Sequence, residues 1–156
     1  MKIHWKALIA SLALSLGTGF FSTILSPNMK ETYEALYKPP LAPPGWLFPV
    51  VWSLLYILIG LASYLVATSA NEEREQALRL YLTQLVFNLG WTVIFFRFHA
   101  YLTAFLILIV LWMMVLRLIK YYRKIDELAG LMLIPYLLWM TYAAYLNLAI
   151  ALYYLS

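Results

Sequence analysis

Five long stretches of the chain carry no charged side chain, and they constrain the fold more than any other feature. They cover residues 7–29, 39–71, 80–96, 98–116 and 128–156. A helix needs about 20 consecutive apolar residues to cross a bilayer. The apolar residues follow one another without the alternation that the strands of a membrane barrel require. The sequence therefore predicts an all-α integral membrane protein with five transmembrane helices.

The composition excludes most other classes of protein. Hydrophobic residues make up 65% of the 156 residues and charged residues 12%, whereas a soluble domain has about 25% charged residues. A soluble chain of this length buries only about 70% of its surface, so a soluble enzyme, a coiled coil and a disordered protein are excluded. We expect one domain over 1–156, with the bilayer as its main partner. The spanning helices are expected at about 6–26, 46–69, 78–97, 100–121 and 129–153.

The distribution of the 11 Lys and Arg residues predicts the orientation. Most of them lie before the first span, in the connection after the second, or in the connection after the fourth. By the positive-inside rule this side faces the cytoplasm, which places the N-terminus inside and the C-terminus outside. The basic residues sit where lipid headgroups would contact them, so no nucleic acid partner is expected. A bacterial inner membrane is the expected location.

The first span resembles a signal peptide, because Lys2 and Lys6 precede it. Its apolar run is longer than the 7–15 residues of a signal-peptide core, so we expect a retained helix. The long connection 27–45 is rich in proline, which fixes φ and removes a backbone donor. We expect this segment to be stiff and non-helical, and to form a lid over the bundle. The alternative is a loop that rests among the lipid headgroups.

The usual catalytic groups are missing from the spans. The chain has no cysteine, and its two histidines, His4 and His99, lie in different segments. No nucleophile–base pair or acid pair is apparent, and no metal site is expected. Any reaction would then depend on the chemistry of a bound ligand, with Trp and Tyr side chains as oxidisable neighbours.

Uncharged polar and aromatic residues recur on one face of each of three spans. The third span has Gln84, Asn88, Trp91, Thr92 and Phe95; the fifth has Pro135, Trp139, Ala143 and Asn147, with Tyr142 and Leu146 beside them; the second has Pro49, Trp52, Ser53, Tyr56 and Gly60. Interhelical hydrogen bonding is the simpler explanation for such residues. Interfacial aromatic belts are a second explanation, which suits Trp46 best.

Together, the three faces favour a pocket for a large planar ligand, in which rings stack on the ligand and amides orient its polar edge. A ridge of small residues on the first span allows a close helix contact, either within the bundle or between two copies. That ridge consists of Ala7, Ser11, Ser15, Gly19 and Thr23.

Several stretches, in order, resemble the TspO/MBR family of bacterial relatives of the mitochondrial translocator protein. They are Tyr33-Glu-Ala-Leu-Tyr-Lys-Pro39, Pro43-Pro-Gly-Trp46, Phe48-Pro-Val-Val-Trp-Ser-Leu-Leu-Tyr56, Gln84-Leu-Val-Phe-Asn-Leu-Gly-Trp91, Pro135-Tyr-Leu-Leu-Trp139, Ala143 and Leu146-Asn147. The resemblance implies a five-helix bundle, often a homodimer, that binds porphyrins such as protoporphyrin IX and benzodiazepine-type ligands without a required cofactor. Sterols are bound by some members.

The resemblance also implies the site residues. Ligand-binding positions by this resemblance and by the faces above are Tyr33, Trp46, Trp52, Asn88, Trp91, Trp139, Ala143, Leu146 and Asn147. Light- and oxygen-dependent porphyrin breakdown in some bacterial members implicates tryptophans, and Trp52 and Trp139 match those positions.

Two departures from the family bear on the ligand. The family's sterol motif on the fifth span is incomplete, because no Lys or Arg follows Lys124. Pro40 and Leu41 stand where bacterial members often carry aromatic residues, so the lid is expected to hold a flat ligand less firmly. A transporter or chaperone of porphyrin or lipid is the alternative function, and a regulator that signals through a protein partner is a third.

Overall fold

The computed structural model describes residues 2–155, and all of the regular secondary structure in that range is helical. The helices are α1 (Trp5–Leu25), α2 (Met29–Ala35), α3 (Leu47–Ala67), α4 (Arg74–Phe96), α5 (Tyr101–Ile125), α6 (Glu127–Met132) and α7 (Ile134–Leu155). Five segments are long and apolar enough to span a membrane: α1, α3, α4, α5 and the combined stretch Glu127–Leu155. The predicted all-α five-helix membrane fold is confirmed. The predicted orientation of the termini stays a prediction.

The fifth span is divided into α6 and α7, which a single helix over 129–153 did not anticipate. The break falls at Leu133, two residues before Pro135. Proline has no N–H to continue the helical ladder. At the break, the Leu133 N–H donates to the carbonyl oxygen of Gly130, three residues earlier, at 3.2 Å. Asp126 caps the start of α6, because its carboxylate accepts from the N–H of Leu128 at 2.9 Å.

The expectation of a non-helical connection over 27–45 is wrong for its first half, which forms α2. The prolines of this connection are concentrated at 39–44, whereas 29–35 has neither Pro nor Gly. Met, Lys, Glu and Ala are good helix formers, so the chain turns helical once it is past Pro27. Only the second half is extended and rich in proline.

Small residues of α1 pack inside the bundle. The Ser15 hydroxyl donates to the Tyr56 carbonyl oxygen at 2.7 Å, and the Tyr81 hydroxyl donates to the Ser11 carbonyl oxygen at 3.3 Å. A Cβ atom on Gly60 would lie 2.8 Å from Ser15 Oγ, so α1 and α3 approach closely at this point. This part of the small-residue ridge therefore forms a contact within the chain.

The 27–45 connection, the α4–α5 connection and the C-terminal end of α7 lie at one end of the bundle, here called the loop end. Arg97 ties the α4–α5 connection to the end of α1, because its Nη1 donates to the Leu25 carbonyl oxygen at 3.1 Å. At this end α2 and the proline segment cover α3 and α7. The aromatic and amide faces of α3, α4 and α7 meet below them.

Candidate ligand-binding site

The centre of the candidate site is a cluster of rings around one face of α3. Phe48, Trp52 and Tyr56 recur every four residues and therefore share that face. The Trp52 ring lies 6.0 Å from the Trp91 ring on α4 and 6.2 Å from the Tyr136 ring on α7, between centroids. One turn nearer the loop end, the Phe48 ring lies 5.9 Å from the Trp139 ring. These residues form the aromatic cluster: Phe48, Trp52, Tyr56, Trp91, Tyr136 and Trp139.

A chain of buried hydrogen bonds lies on the side of this cluster away from the loop end. The Tyr56 hydroxyl donates to Asn88 Oδ1 at 3.0 Å, and Asn88 Nδ2 donates to the Tyr136 hydroxyl at 2.8 Å. The Tyr136 hydroxyl in turn donates to Gln84 Oε1 at 2.8 Å. The side chains of Gln84, Asn88 and Tyr136 are completely buried. These hydrogen bonds fix Asn88 at the junction of α3, α4 and α7.

A second amide joins α4, α5 and α7. The Trp91 indole N–H donates to Asn147 Oδ1 at 3.0 Å, and Asn147 Nδ2 donates to the Tyr101 carbonyl oxygen at 2.9 Å. Asn147 is buried, and its bonds hold the plane of the Trp91 indole. The amides on the predicted faces of α4 and α7 thus do form interhelical hydrogen bonds. The same bonds orient aromatic side chains of the cluster, among them Trp91 and Tyr136.

Two buried N–H donors beside the cluster have no hydrogen-bond partner within the described residues. They are Gln84 Nε2 and Trp139 Nε1. Leaving a buried donor unpaired costs about 1–3 kcal/mol. The acceptor oxygens of Gln84, Asn88 and Asn147, by contrast, each accept a hydrogen bond. The open hydrogen-bonding capacity therefore suits a ligand that offers acceptors.

Tyr33 connects the loop to the cluster. Its ring packs edge-on against Phe48 with a centroid separation of 4.8 Å, and its hydroxyl donates to the Pro43 carbonyl oxygen at 2.5 Å. Burial, with a smaller effect of the neighbouring Tyr142, raises the pKa of the Tyr33 phenol above its ordinary value. The phenol is therefore neutral, and a hydrogen-bond donor, at physiological pH.

The extended part of the loop is held on α7 by four tyrosines that the sequence analysis did not assign to this role. The Tyr145 hydroxyl donates to the Pro40 carbonyl oxygen at 2.6 Å, and the Tyr142 hydroxyl donates to that of Leu41. Near the end of α7, the Tyr153 ring stacks on the Tyr37 ring at 4.0 Å, and the Tyr37 N–H donates to the Tyr154 hydroxyl at 3.1 Å. The residues at 142, 145 and 153 fall within one quadrant of a helical projection, a signal that was present in the sequence.

Most of the residues predicted for the site lie together. Trp52, Trp91 and Trp139 belong to the cluster, and Asn88, Asn147 and Tyr33 bond or pack directly against it. Ala143 and Leu146 are buried on α7. Trp46, by contrast, is 66% exposed at the start of α3.

Three residues of the predicted faces point away from the site. Pro49 and Ser53 on α3 and Pro135 on α7 are all exposed. One residue along a helix turns the side chain by about 100°, so Ser53 cannot share the face of Phe48, Trp52 and Tyr56. The predicted site residues did not include Phe48, Tyr56 and Tyr136 of the cluster, or Gln84 beside it. A four-residue spacing links Phe48 to Trp52 and Gln84 to Asn88.

The rings of the cluster lie close together, with Trp52 6.0 Å from Trp91 and 6.2 Å from Tyr136 between centroids. A flat ligand stacked between two rings needs about 7 Å between them, so a ligand that enters between Trp52 and Trp91 must displace rings. An open cleft of about 460 Å³ lies at the loop end, between α2 and the ends of α5 and α7. Its lining residues include Glu31, Leu36, His99, Tyr101 and Tyr154. Over residues 2–155, no group of three or more His, Asp or Glu side chains is placed to hold a metal ion.

Comparison with known proteins shows the family of the chain. The model of the TspO/MBR family matches residues 8–153. Protein CrtK of Rhodobacter capsulatus is 38% identical over 134 residues, which are 85% of this chain and 82% of that protein. A tryptophan-rich sensory protein of Cereibacter sphaeroides is 36% identical over 94% of this chain and 90% of its own length. The translocator protein of Ovis aries is 34% identical over 74% and 70%. The chain therefore belongs to the TspO/MBR family.

Proposed function

We propose that this membrane protein binds a porphyrin such as protoporphyrin IX among α3, α4 and α7, beneath the 27–45 loop. The observation that carries the proposal is the meeting of Trp52, Trp91 and Trp139 from three helices around one face of α3. Trp52 and Trp91 are 6.0 Å apart between centroids. Aromatic walls of this kind stack on flat conjugated ligands.

The polar groups beside the cluster support the same class of ligand. The unpaired N–H groups of Trp139 and Gln84 suit carboxylate or carbonyl oxygens on the edge of the ring system. Asn88 and Asn147 have few other conformations, because hydrogen bonds fix both amides. A benzodiazepine-type ligand, which offers aromatic rings for stacking and a carbonyl acceptor, is proposed for the same site.

Light-driven chemistry is the second part of the proposal. The cluster has no carboxylate, imidazole or thiol, so it lacks the groups that usually act as general acid, general base or nucleophile. Indole rings are oxidisable, and Trp52 and Trp139 would lie against a bound porphyrin. We therefore propose that these two tryptophans promote porphyrin breakdown under light and oxygen, with the porphyrin as the light absorber and no further cofactor.

Transport or delivery of porphyrin or lipid is the alternative function. The name of the Ovis aries relative, translocator protein, favours it, whereas the name of the Cereibacter sphaeroides relative, tryptophan-rich sensory protein, favours sensing. Assembly as a homodimer and a bacterial inner-membrane location belong to the same proposal. The described spans keep their charged residues near their ends, which gives ion-coupled transport no buried charge to use.

Binding is tested by titrating the purified protein in detergent with protoporphyrin IX in the dark. The shift of the porphyrin absorption band is the readout, because it does not depend on the number of tryptophans. We expect saturable binding that weakens about threefold in Trp52→Phe, since the smaller ring retains only part of a stacking contact of about 0.5–1.5 kcal/mol. Trp112→Phe is the matched control, because that indole lies on α5 and donates to Thr141 Oγ1 at 2.9 Å, outside the cluster. A linear, non-saturating titration would refute the proposal.

Photochemistry and transport are separated by two further measurements on the same protein. Under light and oxygen, at saturating protein, we expect bound porphyrin to bleach faster than free porphyrin. Trp139→Phe should slow bleaching more than it weakens binding. Bleaching at the rate of free porphyrin would leave binding alone. Protein-dependent porphyrin flux across liposomes would then support the transport alternative.

A further inference from the structure

The strap, defined as residues 37–41, runs lengthwise along α7. Its first residue contacts Tyr153 and Tyr154, and its last two contact Tyr145 and Tyr142. From Tyr154 to Tyr142 is about 18 Å along a helix axis, and five extended residues reach about 14 Å. The long tyrosine side chains cover the difference. The strap is therefore an extended segment laid down the side of the fifth span.

The turn at the far end of the strap is strained and held from both sides. Leu41 has φ 68°, a left-handed conformation that is uncommon for any residue other than Gly, Asn or Asp. The Tyr145 hydroxyl donates to the carbonyl oxygen of Pro40, the residue before Leu41. The Tyr142 hydroxyl donates to the carbonyl oxygen of Leu41 itself. A conformation of this kind persists only where its surroundings impose it. The two phenols supply that constraint.

The turn is exposed on the outside of the bundle. The Leu41 side chain is 84% exposed, and its partner Tyr142 lies 13 residues before the end of α7 at Leu155. That distance is about 20 Å of helix, which places Tyr142 well below the end of α7. Movement of the strap away from α7 would open a gap beside the aromatic cluster.

We propose that the strap, with Tyr142 and Tyr145, is a latch that controls exchange of a membrane-dissolved ligand between the bilayer and the aromatic cluster. The inference rests on the proposed ligand site. The Trp139 ring of that site lies 5.5 Å from the Tyr142 ring of the latch. Because these two rings are in contact, release of the strap would free the adjacent ring of the cluster to move. The ligand class is an apolar, flat molecule taken up from lipid.

The first test is kinetic. In liposomes loaded with protoporphyrin IX, we expect Tyr142→Phe/Tyr145→Phe to raise the association and dissociation rates each by about tenfold. Such a factor corresponds to about 1.4 kcal/mol, in the range for two hydrogen bonds. Because both rates rise, the Kd changes less than either rate. Tyr121→Phe is the control, since that ring lies on α5 beside Arg117, far from the strap. Unchanged rates in the double variant would overturn the latch.

The second test closes the latch covalently. The chain has no cysteine, so Leu41→Cys/Tyr145→Cys introduces the only two thiols. A short, cleavable bis-methanethiosulfonate bridge between them should slow exchange by at least tenfold, and reduction should restore it. The unbridged protein serves as its own control. Equal rates in the bridged and reduced forms would contradict a role of the strap in exchange.

A ligand-free measurement distinguishes failure of the latch from failure of the proposed function. Ala143 is buried beside Tyr142 on α7, and Ala143→Cys reports opening through its rate of labelling by a membrane-permeant maleimide. We expect this rate to rise about tenfold when Tyr142→Phe and Tyr145→Phe are added. Faster labelling without porphyrin binding would retain the latch and reject the ligand. Porphyrin binding without any change in labelling or exchange would retain the ligand and reject the latch.

Discussion

The aromatic cluster and the strap both depend on tyrosine hydroxyls, but they use them differently. In the cluster, Tyr56 and Tyr136 bond to the side-chain amide of Asn88, and all three residues are buried. On the strap, Tyr142 and Tyr145 bond to main-chain carbonyls near the surface, and Tyr145 is 41% exposed. A buried bond has no competing water, whereas an exposed one exchanges partners at little cost.

This difference assigns the two regions different mechanical roles. The cluster is a fixed wall, because breaking one of its bonds leaves a polar group in an apolar surrounding. The strap is a releasable cover, because its carbonyls can bond to water or headgroups when it lifts. A ligand site inside a membrane needs both properties: a rigid surface for recognition and a cover that opens. The following predictions test this division.

The largest expected effect is on the cluster. Asn88→Leu removes the acceptor of Tyr56 and the donor to Tyr136, so we expect the free energy of unfolding to fall by about 2–3 kcal/mol. Denaturation of the detergent-solubilised protein, followed by circular dichroism, measures the loss. Thr83→Val is the control on the same helix, because Thr83 is exposed and bonds only to the Arg79 carbonyl of its own helix. If Tyr142→Phe/Tyr145→Phe destabilised the fold as much as Asn88→Leu, the contrast between wall and cover would be wrong.

The next effect concerns the α1–α3 contact that supports the wall. A Cβ atom on Gly60 would lie 3.1 Å from the backbone Cα of Leu12 and closer still to two side-chain atoms. We expect Gly60→Ala to cost about 1–3 kcal/mol through overpacking. Gly90 on α4 has no atom within 4 Å of such a Cβ, so Gly90→Ala should stabilise by about 0.5–1 kcal/mol. Thermal unfolding of the two variants should therefore shift in opposite directions, and a shared direction would contradict the close approach of α1 and α3.

How far the sequence predicts these two regions follows from the kind of bond each uses. The charge-free stretches were sufficient for the five spans, because a bilayer demands that pattern of any spanning helix. The faces carrying Trp52, Asn88 and Trp139 were predicted because amides and rings repeat with the helical period. A proline-rich lid was expected, but its attachment to the tyrosines of α7 was not, since a phenol that bonds to a main-chain carbonyl requires no particular residue opposite it. Nothing in the sequence therefore indicates that the Tyr145 hydroxyl bonds to the Pro40 carbonyl oxygen.

The errors within the site also have local causes. Ser53 was assigned to the inner face although one residue turns the helix by about 100°. Helix α2 was missed because the prolines at 39–44 were taken to govern the whole connection, whereas a proline restricts mainly itself and the residue before it. The break before α7 was present in the sequence as Pro135.

A smaller effect is expected where the cover begins. Lys38 Nζ donates to the carbonyl oxygens of Tyr33, Glu34 and Leu36 and so caps the last turn of α2. Lys38→Met keeps the apolar stem but removes the cation, which should weaken α2 by about 0.5–1 kcal/mol. Hydrogen exchange of the α2 amides should accelerate about threefold, with no change in global unfolding. Lys30→Met, on the same helix but at its start, is the matched control. A global loss of stability would show that the cover is not independent of the wall.

The smallest effect is a pH dependence confined to the cover. Burial raises the pKa of Tyr33 above its ordinary value of 10.0, so the folded loop keeps this proton at a pH where the unfolded loop has lost it. Its contribution to stability is complete below about pH 10 and is lost as pH rises through the folded pKa.

Protection of the α2 amides, corrected for the intrinsic exchange rate, should accordingly stay constant from pH 7 to about 9.5 and then fall. In Tyr33→Phe, which lacks the bond to the Pro43 carbonyl, protection should be lower at neutral pH and show a weaker fall. Tyr121→Phe should titrate like the unmodified chain. A fall that begins near neutral pH, or one that Tyr33→Phe reproduces in full, would mean that another group holds the cover closed.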